Sequence, residues 1–335
     1  MSDRKDRKNL RFCLRAAAFA LGCAGLLAIT PVVAQAQAGW EGETGVFVTP
    51  LAYTQASASG KTSVNVAYHY FHAGPIIGDF HEISTEVGVA KRFEFGYMHE
   101  FHLTDDTGGL NSTANGKTTT TNLNYLWQDG FEVFNGKANV IPENFHNNKA
   151  IPAISVGFIA RANVRNVGDY LEWKQSAANN DGTGKHNTDV YMVASKTVTQ
   201  AIPHVPIVLN AGVRGTNAEL WGMGGNSKDW NARAFGAVAF VFTGPGKSVW
   251  VFGSEAAQQP HHPLNYDSFT SKGGLPLNIP TTLTYCTRIV PVPKYHVNVD
   301  FGVAQVAGRI YNDGNGTIVD LNARHSYGTQ ITWQF

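Results

Sequence analysis

The feature that most narrows what this chain can fold into is a two-residue alternation that returns along most of its length. Its last ten residues, SYGTQITWQF, place Tyr327, Ile331, Trp333 and Phe335 at odd positions, with Gly328, Gln330, Thr332 and Gln334 between them. Wound as a helix this stretch has no face. Extended as a strand, it has one apolar or aromatic side and one small, polar side. The stretch KTSVNVAYHYF sets Val64, Val66, Tyr68 and Tyr70 against Ser63, Asn65, Ala67 and His69. RFEFGYMHEFHL sets Phe93, Phe95, Tyr97, Phe101 and Leu103 against Glu94, Gly96, Met98, Glu100 and His102. Beyond the N-terminal leader no dozen-residue window carries a helical period, so the chain reads as all-β.

Two architectures bury such strands. In a soluble sandwich the apolar faces meet in a core and the outer faces are charged. Here the second face is rich in Gly, Ala, Ser and Asn with scattered charges, which suits the crowded lumen of a barrel. The strands also run to about 10–15 residues, enough to cross a bilayer at roughly 9–11 residues each. Tyr68, Tyr70, Phe101, Tyr295, Tyr327 and Trp333 fall near strand ends, where interfacial girdles sit.

The N-terminus supplies the compartment. Arg4, Lys5, Arg7, Lys8, Arg11 and Arg15 precede an apolar run from Ala16 to Val33, and Ala36-x-Ala38 closes it. That order is a secretory signal peptide, residues 1–38, and Gly22, Gly25 and Pro31 interrupt the run too often for a retained anchor. Cleavage of 38 residues from 335 removes six Lys/Arg and two Asp/Glu, so 26 basic and 25 acidic residues become 20 and 23. A mature chain with a formal charge of −3 offers no basic excess to nucleic acid. Cys286 is the one cysteine of three left, so there is no disulfide framework and no cysteine-based zinc site.

Connection lengths give the strand count. Barrels of the outer membrane alternate short periplasmic turns with long external loops. With 39–60 as an N-terminal periplasmic or plug segment and 105–130 as an external loop, that alternation holds for 61–335. Twelve strands follow, against an alternative count of fourteen. They lie at about 61–71, 81–90, 93–104, 131–141, 150–165, 187–198, 206–217, 230–243, 247–257, 281–290, 295–309 and 325–335. Short turns fall at Lys91-Arg92, 142–149, 199–205, 243–246 and 291–294; long loops fall at 105–130, 166–186, 218–229, 258–280 and 310–324. The expected fold is an antiparallel up-and-down transmembrane β-barrel in a bacterial outer membrane. Closure is obligatory there, because an open sheet edge in lipid has no water to pair with.

The stretches IPAISVGF (151–158), TDVYMVASKTV (188–198), VLNAGVRGTNAELWGMGG (208–225) and VFGSEAAQQPHH (251–262) resemble conserved bacterial outer-membrane barrel families without an assigned function. GVFVTPLAY (45–53) and TEVGVAKRFEFGYMHEF (85–101) resemble, more faintly, the barrels associated with exopolysaccharide secretion. The resemblance implies fold and location, with outer-membrane lipids and the barrel-assembly machinery as partners. It also implies that Tyr327, Ile331, Trp333 and Phe335 form the assembly signal at the C-terminus.

Candidate chemistry lies on the lumen parity. Glu82, Glu86, Glu94 and Glu100 line the early strands; Arg161, Arg165, Arg214, Arg233 and Arg288 line later ones, which closure brings round to the other wall. Opposed acidic and basic walls would orient a small polar or charged solute in transit. The competing expectation is a salt-bridged, non-conducting barrel, since buried charges must pair, acting in envelope assembly or polysaccharide export with periplasmic partners. Histidines 69, 72, 81, 99, 102, 261 and 262 are split between faces and rims, so no metal or other cofactor is expected. Ser195 and Ser254 are assigned to the lumen with no histidine in register, so no hydrolase triad is expected. Whether 39–60 fills the lumen, meets a periplasmic partner or adds strands stays open.

Overall fold

The computed structural model describes residues 38–55, 62–102, 109–114, 117–122, 130–164, 185–218, 222, 225, 230–261, 278–312 and 318–335. The expected signal peptide (apart from Ala38) and Arg165 lie outside the described residues. Strands run in chain order as β1 (Thr62–His72), β2 (Asp79–Val89), β3 (Phe93–His102), β4 (Gly109–Ala114), β5 (Lys117–Asn122), β6 (Phe131–Ile141), β7 (Ala153–Val164) and β8 (Lys185–Ile202). They continue as β9 (Val205–Thr216), β10 (Asn231–Thr243), β11 (Val249–Ala257), β12 (Thr282–Val290), β13 (Val297–Gln305), β14 (Ala307–Asn312), β15 (Ile318–Ala323) and β16 (Ser326–Gln334).

Among the described residues twelve of these close into one antiparallel barrel, in the order β1-β16-β13-β12-β11-β10-β9-β8-β7-β6-β3-β2. First and last strands pair, for example Tyr68 with Ile331 and Val66 with Trp333, so the barrel has no edge. The barrel strands are 9–13 residues long except β8, at 18.

Alternation settles which side is which. On β16, Ile331 and Trp333 are each 52% exposed while Gln330 and Thr332 are 2% and 0% exposed. The same inversion runs round the sheet: Ile83, Phe95, Val190, Val213, Tyr285 and Phe301 face out, and Glu82, Glu94, Asp189 and Asp300 are buried inside. A water-soluble protein would not turn its polar and charged groups inward and its apolar side chains outward right round a closed sheet. A closed sheet wrapped in apolar side chains is an outer-membrane barrel.

Two loop expectations are corrected. Segments 105–130 and 310–324 are not simply irregular: β4, β5, β14 and β15 form a separate four-stranded sheet in the order β14-β15-β4-β5. The run Thr118–Thr121 in β5 is β-branched and favours extended backbone. The β4–β5 and β14–β15 hairpins join through Ile318–Thr113 and Val319–Ser112, so each long connection satisfies the edge of the other. The expected strand 295–309 divides accordingly between β13 and β14.

The turn between β2 and β3 is centred one residue earlier than Lys91-Arg92. The Arg92 amide donates to the Val89 carbonyl at 3.0 Å, so Ala90 and Lys91 are the central pair. Both have positive φ, 52° and 54°, as a type I′ hairpin turn demands.

Candidate functional site

The lumen is occupied by the chain itself. Residues 38–55 fold into a small knot whose own backbone bonds run from Trp40 N–H to Phe47 O (2.7 Å), Val46 N–H to Thr49 O (2.9 Å) and Leu51 N–H to Thr44 O (3.0 Å). Gly42 makes a tight bend with φ 80°. Around this knot, inward side chains of the strands grip its main chain more than its side chains.

Glu94 on β3 accepts from the Thr44 amide at 2.8 Å, the Gln55 amide at 2.9 Å and the Thr44 hydroxyl at 2.6 Å. Lys137 on β6 pairs with Glu94 at 2.8 Å and donates to the Thr44 carbonyl at 2.9 Å. Glu86 lies 2.9 Å from Thr44 Oγ1 and accepts from Asn65 Nδ2 at 3.0 Å. On the far side Glu255 of β11 accepts from the amides of Val48 (2.7 Å) and Thr49 (2.9 Å), and from Thr49 Oγ1 (2.7 Å). Three consecutive amides, those of Phe47, Val48 and Thr49, thus converge on one carboxylate.

Smaller groups complete the grip. The Ala52 amide donates to Ser195 Oγ at 2.8 Å, and Ser155 Oγ and Asn139 Nδ2 donate to the Ala52 carbonyl. Asn210 Nδ2 donates to the Pro50 carbonyl at 3.0 Å, and Asn135 Nδ2 to the Glu41 carbonyl at 2.9 Å. Phe47 rests on two glycines paired across β13 and β16, Gly302 and Gly328. A Cβ on either would lie 3.0 or 3.1 Å from its ring carbons, so the close approach needs glycine there. At the short-turn end Tyr53 Oη donates to Glu143 at 3.0 Å.

All four expected glutamates face the lumen and are fully buried. Arg161 does too, bridging Glu41 of the knot and Asp189 of β8, the latter at 2.9 Å. Arg288 pairs with Asp300 on the adjoining β13 and reaches the Val46 carbonyl at 3.2 Å. Arg214 is 3.5 Å from Asp189 and stands opposite Arg233 in register, both half-buried. Glu94 with Lys137, Arg161 with Asp189 and Arg288 with Asp300 are therefore matched by neighbouring or next-neighbouring strands. By strand order β10 stands half-way round the barrel from β2, which sets Arg233 across from the glutamate wall.

Sequence reasoning missed Lys137, Asp189, Asp300, Glu255 and Glu41. The signal for the first four was the same parity: Lys137 alternates with Asn135 and Asn139, and Asp189 with Asn187 and Tyr191. Ser254 is corrected, because Glu255 points inward and its neighbour faces the opposite way. Ser195 is in the lumen, its hydroxyl spent on Asn210 Oδ1 (2.7 Å) and on the Ala52 amide. Among the described residues no cluster of three His, Cys, Asp or Glu side chains could hold a metal.

Solved structures similar to the chain include the KdgM porin, at 9% identity and a TM-score of 0.41, covering 81% of this chain and 99% of that one. The NanC porin aligns at 7% identity and a TM-score of 0.37, over 81% and 98%. The Acinetobacter baumannii outer membrane protein Omp33 aligns at 10% identity and a TM-score of 0.30, over 82% and 98%. No curated protein matches the chain. A family model described as "Protein of unknown function (DUF3034)" matches residues 35–269, and the chain belongs to that family.

Proposed function

We propose that the barrel gives small polar or charged solutes passive passage across the outer membrane, and that segment 38–55 must leave the lumen for this to happen. The observation that carries this reading is the chemistry of the grip. The segment is held by hydrogen bonds to its main chain and by the Arg161–Glu41 ion pair, contacts that water can replace, and its withdrawal would leave a wall of Glu, Lys, Arg, Asn and Ser side chains. Charges distributed on β2–β3 and on β9–β10 support the expected transverse field, with Arg214 and Arg233 across from the glutamates. Tyr327, Ile331, Trp333 and Phe335, all outward on the last strand, are proposed as the signal read by the barrel-assembly machinery.

The test is single-channel conductance of the mature chain in a planar bilayer beside a chain lacking 39–55. The expected result is a closed full-length barrel and a conducting truncation whose ion preference shifts in Arg214→Ala and Arg233→Ala. A second reading, a non-conducting barrel that supports envelope assembly or polysaccharide export, is favoured by the tight pairing of lumen charges to their neighbours. Silence of both chains, with a heat-modifiable barrel verified, would leave that reading standing and sink the first.

A further inference from the structure

We propose that segment 38–55 is a proton-controlled plug, which stays in the lumen while Glu43 is neutral and is driven out when Glu43 ionises in its buried site beside Glu41 and the wall glutamate Glu82. This deepens the conduit reading above and rests on it.

The geometry has two sides. On the segment, the Glu43 side chain is curled between Gly39 and Gly45, where an added Cβ would lie 3.0 and 3.5 Å from its Oε1. It is fully buried, and among the described residues no other side chain hydrogen-bonds its carboxylate oxygens. On the wall, Glu82 and Glu100 stand opposite one another in register across β2 and β3. Both are fully buried, and among the described residues neither has an ion pair or a side-chain hydrogen bond. Glu82 lies within electrostatic reach of Glu100, Glu41 and Glu43.

The cations that could compensate are committed elsewhere. The groups around the segment are Glu41 on its own chain, His69 on β1, Glu82 and Glu86 on β2, and Glu94 and Glu100 on β3. Lys137 on β6, Arg161 on β7, Asp189 and Tyr191 on β8, Glu255 on β11, Arg288 on β12 and Asp300 on β13 complete the set. Lys137 is held by Glu94. Arg161 is held by Glu41 and Asp189. Arg288 is held by Asp300. Lys137 lies within electrostatic reach of Glu43 but pairs with Glu94, and among the described residues no ion pair reaches Glu43, Glu82 or Glu100; an unpaired buried carboxylate is costly to ionise.

Burial, reinforced by neighbouring Glu41, pushes the Glu43 carboxyl up from 4.5 to about 8. A docked segment therefore keeps a proton between those values that a released one gives up. Docking is tightest below 4.5 and weakens as pH rises to about 8, by about tenfold per pH unit from this one group.

The experiment attaches a nitroxide spin label to Val48→Cys, a half-buried position of the segment, in a Cys286→Ser background. The mature chain is folded into phosphatidylcholine vesicles and its spectrum recorded from about pH 5 to about pH 9. The expected result is an immobilised label at low pH and a mobile fraction that grows through the range. Glu43→Gln should hold the label immobile throughout, and Glu82→Gln with Glu100→Gln should move release to higher pH. A label equally immobile at every pH, or a transition that persists unchanged in Glu43→Gln, overturns the proposal. If Glu43→Gln does not fold, by the heat-modifiability of its band, the wall double variant decides alone. The label reads position and not flow, so release from a barrel that never conducts would keep the plug proposal and sink the conduit. A conducting truncation with a pH-invariant label would do the reverse.

Discussion

Two pairs of glutamates sit on the same two strands, and the protein treats them differently. Towards the short-turn end, Glu86 and Glu94 are drawn into a network with Lys137, Asn65 and Thr44, so their charge is matched and their oxygens are bonded. Towards the long-loop end, Glu82 and Glu100 face each other without a cation or a side-chain donor among the described residues. All four are equally buried. One pair holds the segment in place; the other makes its surroundings intolerant of further negative charge. The difference shows that burial alone does not define the role of a carboxylate here: its neighbours on adjoining strands do.

The largest effect should come from breaking the matched pair. Lys137→Met leaves Glu94 buried without its cation, at a cost of about 3–5 kcal/mol. This should appear as a lowered urea midpoint in lipid vesicles and a segment label mobile at all pH values. Glu255→Gln keeps the shape but removes the charge on which three amides converge. Docking of the segment should weaken by about 2 kcal/mol, read as increased label mobility without a change in barrel stability. Glu82→Gln with Glu100→Gln should act in the opposite sense, raising stability by about 1–2 kcal/mol in mildly alkaline buffer, because no compensating cation is stranded. Equal losses from the matched and unmatched pairs would erase the contrast. As the smallest effect, Ala90→Asn with Lys91→Gly should add about 1 kcal/mol by relieving two left-handed residues in the β2–β3 turn. That variant touches the same hairpin outside the lumen, so the label spectrum should not change.

Much of the fold was legible because a strand has only two sides. Parity alone puts Glu82, Glu86, Glu94, Glu100, Arg161 and Arg288 inside, and Ile331 and Trp333 outside. The same rule carried Lys137 and Glu255, but a weaker apolar pattern on β6 and β11 hid them. The sheet formed by β4, β5, β14 and β15 was hidden for another reason. Its hairpins come from loops about two hundred residues apart, and nothing local records that they pair.

What the sequence by itself determined is the alternation, and with it the all-β class, the closed sheet, the lipid-facing surface and the inward set of charges. These follow from the period of a strand and the need to satisfy every backbone group in lipid. What only the tertiary structure decided is which of those charges are matched and what fills the space between them. Cross-strand register chose Asp300 for Arg288, and the path of the N-terminal segment brought the amides of Phe47, Val48 and Thr49 to Glu255, some two hundred residues away in the chain. Every residue but proline carries an amide, so a contact made through main-chain groups leaves no mark in the order of side chains.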